Sequence, residues 1–150
     1  MSEAPKTAVV TGGSAGIGKA ICLDLLEQGY EVVSLARRKA EIDHPKLCSI
    51  EVDLVDRAAT AEAAKELVSR FEVTTVVHNA GVIRAALLPE VKLADLDALV
   101  DLHLGCAIQL VQAALPAMRA RRFGRVVLLS SRAALGPVSY THLRAHETSL

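Results

Sequence analysis

The stretch "TAVVTGGSAGIG" (7–18) decides the fold of this chain. Its first part, "TAVVTGG" (7–13), is rich in β-branched residues and predicts a buried strand that runs into glycine. Residues 16–28 then place apolar side chains at helical spacing, and Gly29 ends the predicted helix. A glycine-rich turn with a strand before it and a helix after it is the context that a dinucleotide-binding loop requires.

Each glycine of this turn has a separate physical use. Gly12 permits a tight turn, Gly16 lets the backbone approach a pyrophosphate, and Gly18 allows close packing of helix on strand. The helix N-terminus offers free N–H groups and a positive dipole end to phosphates. Glycines between a strand and a helix also occur for steric reasons alone. The cofactor-binding residues predicted in this turn are Gly12, Ser14, Gly16, Ile17 and Gly18.

Strand and helix patterns alternate along the rest of the chain. Further strands are predicted at 31–36, 46–54, 73–81 and 124–131, and a helix at 57–71. Residues 93–121 predict a long helix or a helix pair that ends near Pro116 and the basic turn "RARR". Alternation of this kind indicates parallel βαβ units with right-handed crossovers. The predicted fold class is α/β, a doubly wound, Rossmann-type parallel sheet that is truncated after its fifth strand.

The composition of the chain limits the classes of partner that we expect. Lys plus Arg balances Asp plus Glu at 17 each in 150 residues, and the only aromatic residues are two Phe and two Tyr. This balance predicts neither a nucleic-acid partner nor a membrane partner. The start "MSEAPKTAVV" has a charged opening and a short apolar run, so it predicts neither a signal peptide nor a membrane span. Three widely spaced cysteines predict buried thiols in the cytoplasm, and no spacing predicts a metal site.

The spacing GxxxGxG of residues 12–18 resembles the short-chain dehydrogenase/reductase family. Three further stretches match the motifs of that family in order: "VDL" (52–54), "HNAG" (78–81) and "GRVVLLSS" (124–131). The resemblance extends from residue 7 to about residue 136. It implies an oxidoreductase that transfers a hydride between nicotinamide and a carbonyl or secondary alcohol.

The resemblance also implies roles for residues that follow the third and fourth strands. Asp53 would accept a hydrogen bond from the adenine amino group, with the N–H of Leu54 nearby. Asn79 would bond backbone across the sheet, while Ala80 and Gly81 leave room for the cofactor. The plainer interpretations are a polar strand end at Asp53 and a turn residue at Asn79.

Two candidate catalytic residues follow from the same resemblance. Ser131, the second serine of "LSS", would hydrogen-bond the substrate carbonyl, although it could instead cap the strand. His103 stands where the family has an asparagine that holds a water in a proton relay. An imidazole can also donate and accept hydrogen bonds, so His103 is either functional or a buried structural histidine.

The end of the second strand predicts NADP(H) over NAD(H) as cofactor. An enzyme for NAD usually has an acidic residue there, which binds the ribose diol. This chain has Ala36 at that position, and Arg37 and Arg38 directly after it. No carboxylate would repel a 2′-phosphate, and a guanidinium can bind it with paired donors. A solvated basic loop is the alternative.

The last residues depart from the family pattern. The resemblance implies a tyrosine twelve residues after Ser131 and a lysine four residues further on, but Tyr140 follows by nine and is followed by Arg144. The run "VSYTHLRAHET" (138–148) resembles a translated sequencing adapter. We therefore expect an incomplete NAD(P)-binding domain at 1–137 and a non-native tail at 138–150, without enzymatic activity. A complete protein would be a homodimer or homotetramer. The alternative function is a non-catalytic dinucleotide-binding or regulatory protein.

Overall fold

The computed structural model describes residues 6–131. These residues form five parallel strands: β1 (Thr7–Thr11), β2 (Glu31–Ala36), β3 (Leu47–Glu51), β4 (Val73–His78) and β5 (Arg125–Leu128). The strands alternate with α1 (Gly16–Glu27), α2 (Arg57–Arg70), α3 (Leu93–Val100) and α4 (Cys106–Arg121). A 3₁₀ turn covers Leu88–Glu90, and a π-helical turn, Asp101–Gly105, joins α3 to α4.

The sheet has the order β3-β2-β1-β4-β5, with β1 in the centre. In the register of the sheet, Val9 lies opposite Val33 of β2 and Val76 of β4. After β3 the chain crosses over the sheet to add β4 on the other side of β1. The carboxyl ends of β1 and β4 therefore border a crevice at the point where the strand order reverses, which is where open α/β sheets bind ligands. The predicted doubly wound α/β fold is confirmed.

Alternate residues of the strands fill two cores on opposite faces of the sheet. Val9, Val33 and Val76 belong to the larger core, into which α2 and α4 insert Leu67 and Leu110. The smaller core lies under α1 and consists of Val10, Cys22, Leu26, Val32 and Val77. Burying a Val or Leu side chain contributes roughly 1.5–3 kcal/mol, so these two layers hold the helices on the sheet.

Several predicted strands end earlier in the structure. The strands predicted at 7–13, 46–54, 73–81 and 124–131 end at Thr11, Glu51, His78 and Leu128. The residues beyond these ends leave the sheet to form the loops around the crevice. The first residue after β1, Gly12, still donates to the carbonyl of Leu35 in β2 at 2.8 Å, and the ladder ends there.

The helical region 93–121 also differs in detail from the prediction. The helix does not end at Pro116: this residue lies inside α4, which continues to Arg121 and ends at Arg122 in a left-handed conformation (φ 50°). A proline inside a helix removes one backbone hydrogen bond, but the buried face of α4 (Leu110, Ala114 and Met118) keeps the helix on the sheet.

One face of this region carries an apolar stripe, which we define as Leu93, Leu96, Val100, Leu104 and Ile108, all exposed. By length and composition alone, Leu93–Arg121 is a helix that could cross a membrane, with a mean hydropathy of 1.5. A single such helix is weak support for a membrane span, since the core helices of soluble proteins have the same composition. Here the opposite face of α4 packs against β4 and α2.

The three cysteines are free thiols. Cys22 and Cys106 are buried as predicted, and burial raises the pKa of Cys22 to about 11 and that of Cys106 to about 12. Cys48 is only half-buried, because β3 is an edge strand of the sheet, and its Sγ contacts Arg70 at 3.3 Å.

Candidate functional site

A cleft of about 280 Å³ lies at the carboxyl ends of β1, β2, β3 and β4. It gathers the loop that follows each of these strands, because parallel strands present their carboxyl ends at one edge of the sheet. Of the residues predicted to bind a cofactor, the lining contains Gly12, Ser14, Arg37, Arg38, Asp53, Leu54, Ala80 and Gly81.

The first wall is the glycine-rich turn. Gly12 has a φ of +69° and Gly16 a φ of +53°, a conformation that L side chains rarely adopt. A Cβ added to Gly18 would lie 2.1 Å from the carbonyl oxygen of Gly12. There is no room for a methyl group between Gly18 and the carbonyl of Gly12. A glycine at this position therefore lets helix α1 begin directly against the turn.

The N-terminus of α1 is open to solvent on its outer side. Its N-cap residue, Ala15, makes no side-chain hydrogen bond to the helix, and the side chain of Ile17 is 67% exposed. The first-turn N–H groups of a helix have no intrahelical acceptor, so this end suits an anion. Gly16, Ile17 and Gly18 lie at this end and do not line the cleft itself.

The second wall begins where β2 ends. Ala36 is buried, whereas Arg37 and Arg38 are exposed at the cleft. Within residues 6–131, neither guanidinium has a hydrogen-bonding or ion-pairing partner. Two unpaired cations at one end of the cleft favour an anionic group there.

The loop after β3 adds one carboxylate. Oδ1 of Asp53 accepts a hydrogen bond from the backbone N–H of Val55 at 3.1 Å, which fixes the exposed carboxylate at the cleft. The side chain of Leu54 is buried beneath it, and its carbonyl accepts from the hydroxyl of Thr60 at 3.4 Å. This loop therefore holds a hydrogen-bond acceptor in place at the cleft.

The loop after β4 is bonded to the end of β1. The hydroxyl oxygen of Thr11 accepts from the backbone N–H groups of Asn79 (3.0 Å) and Ala80 (2.9 Å). The side-chain amide of Asn79 donates across the sheet to the carbonyl of Thr11 at 3.1 Å. Nδ1 of His78 lies 2.9 Å from the same hydroxyl oxygen. These contacts fix Ala80 and Gly81 at the floor of the cleft.

His103 lies beside this floor. A Cβ added to Gly81 would come within 2.8 Å of Cε1 of His103, so the imidazole covers the glycine. Nε2 of His103 donates to the carbonyl of Val82 at 3.2 Å, because a carbonyl only accepts. His103 is exposed, so a buried structural histidine is the wrong interpretation. Its Nδ1 is left as the nitrogen that can accept a proton.

Ser131 lies at the end of the described residues, three positions after β5. It is exposed and, like His103, does not line the cleft. The positions of Pro137, Tyr140 and Arg144, and the predicted boundary between 1–137 and 138–150, lie outside the described residues.

Three contributions to the site were not predicted. Thr11 is the hydrogen-bonding centre of the floor, and Arg84 lines the cleft and pairs with Asp95 of α3. Leu102 closes the base of the cleft from the π-helical turn. The position of Thr11, immediately before the glycines, was a usable signal; the other two depend on the path of a loop.

The residues around the cleft can be compared with the chemical groups of a dinucleotide. The glycine turn leaves open space at Gly16, within which an added Cβ would meet no atom within 4 Å. The cleft combines an acceptor at Asp53, unpaired cations at Arg37 and Arg38, and a small-residue floor at Ala80. These residues fit the adenine, the phosphates and the ribose of NAD(P).

Comparisons with known proteins agree with this geometry. The family model described as "short chain dehydrogenase" matches residues 6–143. The 3-oxoacyl-[acyl-carrier-protein] reductase of Staphylococcus aureus is 34% identical over 137 residues, which cover 84% of this chain and 56% of the relative. The chain thus spans about half the length of the curated relatives it matches.

Solved structures give the same result. A short-chain dehydrogenase from Streptomyces avermitilis superposes with a TM-score of 0.78 at 33% identity, covering 87% of this chain and 51% of that one. A 3-oxoacyl (acyl-carrier-protein) reductase from Agrobacterium tumefaciens, solved with NADP bound, gives a TM-score of 0.75 at 27% identity, covering 94% and 60%.

Proposed function

This chain belongs to the short-chain dehydrogenase family, and on that premise we propose that it forms the cofactor-binding part of an NADP-dependent oxidoreductase. The observation that carries the proposal is the cleft, which gathers the glycine turn, two unpaired arginines, Asp53 and Ala80. Enzymes of this family use NAD(P), and one superposed reductase was solved with NADP.

In this proposal each wall of the cleft binds a different part of the dinucleotide. Arg37 and Arg38 bind the 2′-phosphate, with no carboxylate at Ala36 to repel it. Asp53 accepts from the adenine amino group, and the N-terminus of α1 binds the pyrophosphate. When bound, the cofactor supplies or accepts a hydride for a carbonyl or secondary alcohol.

Binding to the 150-residue chain tests the cofactor preference without turnover. We expect calorimetry to give an affinity for NADP⁺ that is about tenfold to a hundredfold higher than for NAD⁺, since a charged hydrogen bond contributes about 1.5–3 kcal/mol. The double variant Arg37→Gln, Arg38→Gln should remove this difference. The double variant Arg119→Gln, Arg122→Gln, which removes two charges at the far end of α4, should keep it. Equal affinities of the unaltered chain for both cofactors would contradict the NADP preference.

The catalytic roles remain proposals for the residues beside the cleft. Ser131 would orient the substrate carbonyl, and His103 would pass a proton through Nδ1. The chain as given would bind cofactor without turnover, because Arg144, and not a lysine, lies four residues after Tyr140. Genomic DNA read past codon 136 tests this: it should encode a tyrosine twelve residues after Ser131 and a lysine four residues later. A gene that instead reproduces the present tail would favour the non-catalytic, regulatory alternative.

We also propose that the complete protein is a cytoplasmic homodimer or homotetramer. The apolar stripe along α3 and α4 is a row of five exposed apolar side chains, and contiguous patches of this kind mark interaction sites. A second copy of the same helices would cover it.

A further inference from the structure

Three arginines line the cleft within residues 6–131, and one of them differs from the other two. Arg37 and Arg38 have no ion-pairing partner among these residues, whereas Arg84 donates to the carboxylate of Asp95. Asp95 belongs to α3 and does not line the cleft. The carboxylate therefore neutralises a cation of the cleft from outside the cleft.

The ion pair between Arg84 and Asp95 is exposed and makes a single contact. One guanidinium nitrogen meets one carboxylate oxygen, and the two side chains are 46% and 34% exposed. An exposed pair of this kind contributes little, because water competes for both charges and the two side chains lose conformational freedom. A phosphate can bind a guanidinium through two parallel N–H···O bonds, which is the stronger arrangement. A phosphate that enters the cleft can therefore displace the carboxylate.

The backbone around Arg84 has few contacts. The carbonyl of Val82 accepts from His103 at 3.2 Å, which fixes the chain two residues before Arg84. The next four residues, 83–86, form no backbone hydrogen bond with any of residues 6–131, and the side chain of Ile83 is 93% exposed. Segments with exposed backbone and few buried contacts rearrange at a small cost in free energy. Arg84 can thus turn from α3 toward the cleft while the sheet stays intact.

We propose that Arg84 is a specificity-determining residue, which exchanges its bond to Asp95 for a bond to a phosphate group of an adenosine nucleotide. Asp95 is then a competing anion, and its carboxylate lowers the affinity of the cleft for the nucleotide. The inference rests on the proposed function for the kind of ligand. The phosphate is either the 2′-phosphate or the pyrophosphate of the dinucleotide, and both present the same oxygen acceptors to the guanidinium.

Calorimetry of the 150-residue chain with NADP⁺ and NAD⁺ measures the exchange. Arg84→Gln should lower the affinity about tenfold, since a charged hydrogen bond is lost. Asp95→Asn should raise it about twofold to fivefold, because no ion pair has to be broken. Asp97→Asn makes the same charge change two residues further along α3. It is the matched control and should leave the affinity nearly unchanged.

The double variant Arg84→Gln, Asp95→Asn separates the exchange from a general change in charge. It should bind nucleotide as Arg84→Gln does, since Asp95 has no cation of the cleft to hold once Arg84 is replaced. A gain from Asp95→Asn that persists without Arg84 would come from the charge of α3 alone, and it would reject the proposal.

The two cofactors identify the phosphate. If Arg84 binds the 2′-phosphate, Arg84→Gln weakens the binding of NADP⁺ alone; if it binds the pyrophosphate, both cofactors are weakened equally. Adenosine carries no phosphate and should bind to all variants alike in titrations followed by NMR. A loss of adenosine binding in Arg84→Gln would mean that the guanidinium stacks on the base, which would overturn the proposal.

Unchanged affinities in Arg84→Gln, or weaker binding in Asp95→Asn, would also overturn it, the latter because the pair would then support the site. Failure of the proposed function is seen separately, since the unaltered chain would bind neither cofactor. In that case inorganic pyrophosphate, added at constant ionic strength, is the probe. The ¹⁵N–¹H signal of the Arg84 Nε should shift in the unaltered chain, and a signal that does not move rejects the exchange.

Discussion

Gly18 shows how one hydrogen atom in place of a side chain can position a helix. Its Cα lies so close to the turn that an added Cβ would be 2.1 Å from the carbonyl oxygen of Gly12 and 2.5 Å from the side-chain nitrogen of Asn79. Neither neighbour can move freely, since one is backbone and the other is bonded to Thr11. This glycine is required for its small size.

Gly18→Ala should therefore displace the start of α1. We expect a loss of roughly 1–3 kcal/mol in the free energy of unfolding, and weaker nucleotide binding, because overpacking against backbone is costly. Gly105→Ala is the control: the nearest atom to its added Cβ is 3.8 Å away, and alanine in a helix is favoured by about 0.5–1 kcal/mol. Urea unfolding of both variants measures the difference. Equal stabilities would show that the turn can shift to accept a methyl group.

At the scale of elements, helix α2 has a well-defined beginning. The side chain of Asp56 accepts from the backbone N–H groups of Ala58 (2.8 Å) and Ala59 (3.0 Å). The N-terminus of α2 is hydrogen-bonded to the neighbouring helix α4, since the carbonyl of Arg57 accepts from the side-chain amide of Gln109 at 3.1 Å. The cap thus supports the packing of α2 beside α4.

Asp56→Ala should lower the free energy of unfolding by about 1 kcal/mol, within the range of about 0.5–2 kcal/mol for the loss of an N-cap. Asp56→Asn keeps an acceptor oxygen and should lose much less. Thermal unfolding of the two variants under identical conditions compares them. Equal losses in Asn and Ala would mean that the charge at the helix end is more important than the hydrogen bonds.

The order of these elements was predictable, and their ends were not. Buried parallel strands appear as continuous β-branched runs, so "TAVVT" and "EVVSLA" predict strands without tertiary information. The site residues that directly follow strands, such as Arg37 and Asp53, were found for the same reason. The π-helical turn was not predicted, because one extra residue in a helix has no pattern of its own.

At the scale of the whole molecule, His78 links stability to pH. Burial lowers the pKa of His78 in the folded chain below its ordinary value of 6.5. Below pH 6.5 the unfolded chain therefore binds a proton that the folded chain excludes, and the free energy of unfolding decreases as the pH falls toward the folded pKa. Above pH 6.5, His78 is neutral in both states and has no such effect.

We expect this contribution to disappear in His78→Gln, which cannot titrate. Between pH 7.5 and 5.5, the stability of the unaltered chain should decrease more steeply than that of the variant, with a difference in slope of up to about 1.4 kcal/mol per pH unit. Urea unfolding at several pH values measures both slopes. Carboxylates titrate in both proteins, so parallel curves would show that His78 takes up its proton without unfolding.

Self-association should depend on the apolar stripe along α3 and α4. In a symmetric dimer Leu104→Glu removes two buried leucines, each contributing roughly 1.5–3 kcal/mol, so the dissociation constant should rise about a hundredfold or more. Ala94→Glu adds the same charge at an exposed position outside the stripe and should have little effect. Sedimentation velocity of the complete protein distinguishes these cases. An unchanged dimer in Leu104→Glu would locate the interface elsewhere.

The position of β1 has a consequence for the nascent chain. Of the five described strands, the central one leaves the ribosome first; β2 and β3 then add on one side, and β4 and β5 on the other. Among these five strands, none has to be inserted between two that are already paired. The last residue in the lining of the cleft is Leu102, which precedes α4 and β5. The described residues that line the cleft have therefore all been synthesised before α4 and β5.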